Sequence, residues 1–231
     1  MSLLLGTAAS LAALHTLIGV DHSIPFIVLG RARGWALRRT LLVTGACGLV
    51  HVASSVFIGL FGVAFGVALD RLAWIEEGRG QLAAALMIGF GLAYAAWAAW
   101  RGLRRHRHDH VHRHSDGTVH SHPHDHRGGH LHVHEEGRGM TPWVLFLIFA
   151  FGPCEALIPL MMVPALEQSW GLLIGVVMVF GVFTVGTMLV TVLVGHFGLS
   201  RARLGGLERQ VDLLAGRTVA ASGAAVLVLG V

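Results

Sequence analysis

Long apolar stretches joined by short arginine-bearing connections make up most of the chain. Six such stretches stand out: Leu3–Gly30, Leu41–Leu69, Leu82–Trp100, Trp143–Leu166, Gly171–Leu199 and Leu213–Val231. None alternates polar and apolar residues as a half-buried strand would, and each has about the 20 residues that a helix needs to cross a bilayer. The pattern predicts an all-α integral membrane protein with six transmembrane helices. No basic region precedes the first apolar run and no small-residue cleavage site follows it, so that run is expected to be a retained span rather than a signal peptide.

Composition narrows the class further. Charged residues are 13% of the chain and hydrophobic ones 54%, against about 25% charged in a soluble domain. Two cysteines without a CxxC pair exclude a disulfide scaffold and a cysteine zinc ribbon. The net charge of +4 does not point to nucleic acid, because the basic residues, all arginine, sit between spans, except Arg217 near the start of the last. Fifteen of the 17 lie after the first, third and fifth apolar stretches, and only Arg71 and Arg79 lie in the alternate connections. The positive-inside rule then places the arginine-rich connections in the cytoplasm, with both termini outside, in the inner (plasma) membrane.

The chain also repeats itself. Set beneath one another, DHSIPFIVLGRARGW and EALIPLMMVPALEQSW bring Asp21 onto Glu155, Ile24 onto Ile158 and Pro25 onto Pro159. In the next stretch of each half, His51 falls on Thr187, Ser55 on Thr191, and Gly59, Phe61 and Gly62 on Gly195, Phe197 and Gly198. Three spans per unit make this a 3+3 inverted-topology repeat. The expected organisation is a first three-helix unit at 1–101, a connecting loop at 102–140 and a second unit at 141–231. Transporters of this kind hold substrate near mid-membrane, between broken helices. A proline deprives the carbonyl four residues earlier of its donor, which predicts breaks in helices 1 and 4, each beside its own carboxylate, Asp21 or Glu155, with Gly19 and Gly152-Pro153 loosening the preceding turns.

Polar side chains within these apolar stretches are the candidate chemistry. An aspartate at mid-membrane costs on the order of 3 kcal/mol, so HTLIGVDH, residues 15–22, calls for a use. His15, Asp21, His22, His51, Cys154 and Glu155 form the candidate metal-ligating set, since imidazole suits nickel, copper, zinc and iron and thiolate selects soft metals. In a regular helix His15 and His22 would stand about 10 Å apart along the axis. The helix therefore either unwinds near Gly19 or carries His15 as a second station, and we expect the second station, with Asp21, His22, Cys154 and Glu155 at the centre. His51 is as well suited to bonding a neighbouring helix as to ligation. His196 reads as interfacial and Cys47 as a packing residue.

Twelve of the 16 histidines fall in the loop: His106, His108, His110, His112, His114, His120, His122, His124, His126, His130, His132 and His134. Without apolar periodicity the segment is expected to be disordered in the absence of metal and to wrap divalent cations as an accessory site.

At these residues the chain resembles the nickel/cobalt permeases and the related urease-accessory membrane proteins, which carry a histidine, a short spacer and Asp-His in an early span. His15, Asp21 and His22 match in kind, with a spacer one residue longer than usual. The three-plus-three plan is also similar to the wider superfamily of lysine and sulfite exporters and transmembrane thiol-electron carriers. The resemblance implies a non-enzymatic carrier of divalent transition-metal ions, nickel or cobalt first and zinc or copper next, with no prosthetic group. Its implied partners are the metal, the lipid bilayer and a cytosolic metallochaperone. Two rival readings are a thiol-disulfide electron carrier, because GPCEALIP looks like those proteins' proline-flanked cysteine segment and Cys47 is the other thiol, and a small-anion exporter, which Asp21 and Glu155 disfavour by repulsion.

Overall fold

A computed structural model of the chain describes residues 1–67, 69–104, 109–113, 119–123, 140–152, 154, 156–201 and 210–229. Among them are eight helices: α1 (Ser2–Ile18), α2 (Val20–Ala32), α3 (Leu37–Phe65), α4 (Leu69–Arg104), α5 (Met140–Phe151), α6 (Leu157–Leu166), α7 (Trp170–Arg201) and α8 (Val211–Leu229). Four of these, α3, α4, α7 and α8, are long and apolar enough to cross a membrane, and α1 with α2 makes a fifth such unit bent by 51°. The fourth stretch, expected as a broken helix, is two short helices of 12 and 10 residues, about 18 and 15 Å long, neither of which alone crosses a core of about 30 Å.

Polarity runs opposite to that of a water-soluble protein. Leu49, Phe57, Ile174, Met178, Val190 and Val194 are exposed, while His22, His51, Ser55, Glu76, Thr44 and Thr184 are buried. Apolar side chains outside and polar groups inside fit lipid as the surrounding solvent. The molecule is a multi-pass membrane protein with an all-α transmembrane part.

Local sequence accounts for the interruptions. Between α1 and α2 the backbone of Gly19 leaves helical geometry (φ −66°, ψ 99°). Its N–H still donates to the His15 carbonyl, and the His22 N–H donates to the Gly19 carbonyl three residues back. A Cβ at position 19 would run into the His22 ring and lie 3.0 Å from Asp21 Oδ1, so only glycine lets the side chains after the break fold back over it. Pro25 lies further along, inside a continuous α2. The break is thus set at the glycine, not at the proline. In the other half Pro159 is the third residue of α6, where an amide has no intrahelical acceptor and a proline costs little.

α4 begins 13 residues earlier than the apolar stretch in the sequence, and takes in Glu76, Glu77 and Arg79. It packs against α8 at backbone distance. A Cβ on Gly91 would lie 2.7 Å from the Gly216 carbonyl oxygen, and one on Gly216 would lie 2.7 Å from that of Gly91. At the arginine-rich end, Arg33 lies over the rings of Tyr94 and Trp97, Arg101 over Trp97 and Arg39 over Trp35. The Tyr94 hydroxyl donates to Asp212 at 2.7 Å. The ends of α2 and α4 and the start of α8 therefore share one face of the molecule.

Within the histidine-rich segment two strands, β1 (Asp109–Arg113) and β2 (Val119–Pro123), pair antiparallel, with His110 opposite His122 and His112 opposite His120. The sequence led us to expect disorder in this segment. Alternation of histidine with another residue has the two-residue period of a strand. His106, His108, His114, His124, His126, His130, His132 and His134 lie outside the described residues.

Candidate metal centre

Three imidazoles meet at the bend. His15 comes from the last turn of α1, His22 from the first turn of α2 and His51 from the middle of α3. One nitrogen of each lies within 4.8 Å of the others. The 51° bend at Gly19 removes the axial separation that a straight helix would impose, so His15 belongs to the centre and is not a station apart. Ring centroids are 4.8 Å apart for His15 and His22, 5.0 Å for His22 and His51, and 6.4 Å for His15 and His51.

Hydrogen bonds order the cluster. His22 Nδ1 lies 3.0 Å from Asp21 Oδ1, and His22 Nε2 lies 3.3 Å from His51 Nε2. A carboxylate only accepts, so Nδ1 of His22 carries the proton and donates to Asp21. In the neutral ring Nε2 is then an acceptor, and His51 Nε2–H donates to it. Among the described residues, this leaves the lone pair of His51 Nδ1 buried without a partner, and His15 Nε2 is likewise buried with none. Such unpaired nitrogens are costly in an apolar interior. Phe149 of α5 stands edge to face with both His22 and His51, at 6.3 and 6.1 Å, and packs on Phe26. Beside the cluster a cavity of about 10 Å³, the space of one water, is bordered by Asp21, His51, Gly80, Met87 and Gly152.

Among the expected ligands, His15, His22 and His51 come together with Asp21 behind His22. Cys154 is buried, but it joins the apolar cluster of Leu157, Met161, Val176 and Phe180 and is not among the residues that offer converging ligand atoms. Glu155 lies outside the described residues. Cys47 packs in a separate apolar cluster with Phe26, Met188 and Val192, so the two cysteines of the electron-carrier reading belong to different cores. His196, near the end of α7, stands against Phe197.

The sequence reading missed a second polar cluster. Glu76 and Arg79, taken as loop, form an ion pair on α4 in which Glu76 is buried and Arg79 partly buried. Arg79 also donates to Ser54 Oγ (2.7 Å) and to the carbonyls of Ala150 and Gly152 (both 3.1 Å). Glu76 Oε2 accepts from Ser55 Oγ (3.2 Å) and from the Cys154 N–H (3.1 Å). One signal in the sequence was available: opposite charges three residues apart neutralise each other on one helix face, so a span can carry both.

No protein family, curated protein or solved structure matches the chain.

Proposed function

We propose that the chain is a membrane carrier of divalent transition-metal ions, in which His15, His22 and His51 bind the ion inside the membrane. The observation that carries this reading is the three-imidazole cluster at the Gly19 bend, backed by a carboxylate. Two nitrogens bound at about 2.0–2.1 Å to one tetrahedral ion stand roughly 3.3 Å apart, and His22 Nε2 and His51 Nε2 are already 3.3 Å apart. An ion would bind there once the Nε2 proton of His51 has moved to its Nδ1, which frees Nε2 as a ligand beside His22 Nε2, with His15 Nε2 as the third. Asp21 holds His22 in the tautomer that presents Nε2, the usual role of a carboxylate behind a metal-bound histidine.

The ligand set is nitrogen-rich, which suits cobalt, nickel, zinc and copper and not magnesium or calcium; likeness to the nickel/cobalt permeases favours the first two. Cys154 and Glu155 belong to the second half of the pathway, and the histidine-rich loop serves as an accessory, cytoplasmic metal reservoir. Six spans in a 3+3 inverted repeat are the architecture of this reading, with α1/α2 and α5/α6 as the two broken helices. Packing supports it. α1 lies on α7 as α5 lies on α3, α2 lies on α7 as α6 lies on α3, and α2 meets α3 as α6 meets α7. The α2–α8, α4–α5, α3–α4, α1–α2 and α1–α6 contacts have no such counterpart among the main ones.

The test compares nickel, cobalt, zinc and copper on the purified full chain and in proteoliposomes, against His15→Ala, His22→Ala and His51→Ala. Each substitution should weaken binding at the intramembrane site by more than the about 10–100-fold of a change behind the ligands and stop transport. Equal binding and transport by the triple variant would overturn the reading.

A further inference from the structure

We propose that Glu76 and Arg79 form a clamp that closes the α5–α6 interruption and positions His51, although neither side chain is one of the three imidazole ligands. A helix interrupted within a membrane leaves carbonyls and N–H groups that no water can satisfy. In α1/α2 the bend is closed by its own chain, through the bonds of His15, Gly19 and His22. At the end of α5 a different helix takes part. Arg79 donates to the Ala150 and Gly152 carbonyls, and Glu76 accepts the Cys154 N–H together with the Ser55 hydroxyl, which itself lies 3.2 Å from that N–H. Cation meets carbonyls and carboxylate meets amide, so each charge of the pair takes the end of the interruption that its sign suits.

Arg79, held in turn by Glu76, approaches His51 from two sides. Arg79 donates to Ser54 Oγ, whose hydroxyl donates to the His51 carbonyl at 2.8 Å. Arg79 also fixes Gly152, where a Cβ would stand 3.1 Å from His51 Nδ1. Backbone and ring of His51 are thus both referred to one guanidinium. An arginine offers five donors in a fixed fork, and five acceptors surround Arg79: the Glu76 carboxylate, Ser54 Oγ, Ser55 Oγ and two carbonyls.

This inference concerns the same site as the proposed function, but its test reads a thiol and needs no metal. Cys154 is fully buried at the clamped N–H, and Cys47, also buried, lies outside the clamp. In the full chain carrying Cys47→Ser, N-ethylmaleimide reports on Cys154; in the chain carrying Cys154→Ser it reports on Cys47. Arg79→Gln and Glu76→Gln should each raise Cys154 labelling roughly tenfold or more, because one charge-assisted hydrogen bond lost from the closed state is worth about that factor. Cys47 labelling should stay within about twofold, a selectivity that general loosening of the bundle would not give. The double Glu76→Gln/Arg79→Gln chain leaves no unpaired charge, inserts even where a single variant does not, and should expose Cys154 in the same way. Continued protection of Cys154, or equal exposure of both thiols, would overturn the proposal.

Discussion

Asp21→Asn is the most informative single change for the proposed metal site, because it separates a ligand from a residue that acts through a ligand. Asp21 accepts the His22 Nδ1–H at 3.0 Å, a bond to a charged acceptor. Such bonds contribute about 1.5–3 kcal/mol, and neutral ones about 0.5–1.5. Asparagine can still present an oxygen to Nδ1, so the loss is the difference, on the order of 1–1.5 kcal/mol, or about tenfold in affinity. Asp21→Ala removes the bond altogether and should approach the 100-fold end of the range for carboxylates behind metal-bound histidines. His22→Ala removes a ligand and should cost more than either. The assay is cobalt binding to the purified chain, with affinity from competition with a chromophoric chelator and coordination from the ligand-field absorption. Asp21→Asn should keep the wild-type spectrum, since the three nitrogens remain, whereas His22→Ala should change it. Affinity unchanged within twofold would show that Asp21 does not act on the site. A changed spectrum and a loss as large as that of His22→Ala would make Asp21 a direct ligand and refute its placement behind His22.

Three further outcomes follow from the structure. Gly19→Ala places a methyl group against the His22 ring and Asp21; it should disturb metal binding as strongly as loss of a ligand while the chain still inserts, read by cobalt titration and membrane fractionation. Gly91→Val forces α4 and α8 apart where their backbones touch, and should cost about 1–3 kcal/mol of overpacking, seen as a lower unfolding temperature in detergent without a shift in the cobalt spectrum. Deletion of 106–134 should remove several weakly held divalent ions per chain and leave the tight intramembrane site and transport at saturating metal intact, measured by equilibrium dialysis and proteoliposome flux. Transport that stops on deletion would put the loop in the pathway.

The long apolar runs announced the helices, because in lipid nearly every outward position must be apolar, and α3 and α7 lie close to the stretches that hydrophobicity marks. His15, His22 and His51 were legible as candidates for the complementary reason: each is an expensive residue in an apolar run. Their convergence was one of two readings left open, since spacing along a straight helix separates His15 from His22 and only the backbone of Gly19 brings them together. The contact of Asp21 with His22 Nδ1 was not legible, because a sequence does not show which nitrogen faces which oxygen. Glu76 and Arg79 were missed because charge density alone marks a loop; their burial depends on acceptors 71 and 73 residues further along.

That separation has a consequence for how the protein is made. Synthesis proceeds at about 5–20 residues per second, N-terminal portions first. The 71 residues from Arg79 to Ala150 therefore represent roughly 4 to 14 s during which α4 exists and the groups it will secure do not. A lone guanidinium would have to wait in lipid for that interval. With Glu76 one turn before it on the same helix, the nascent segment enters the bilayer already electrically balanced, and later exchanges part of that private pairing for its partners in the second half.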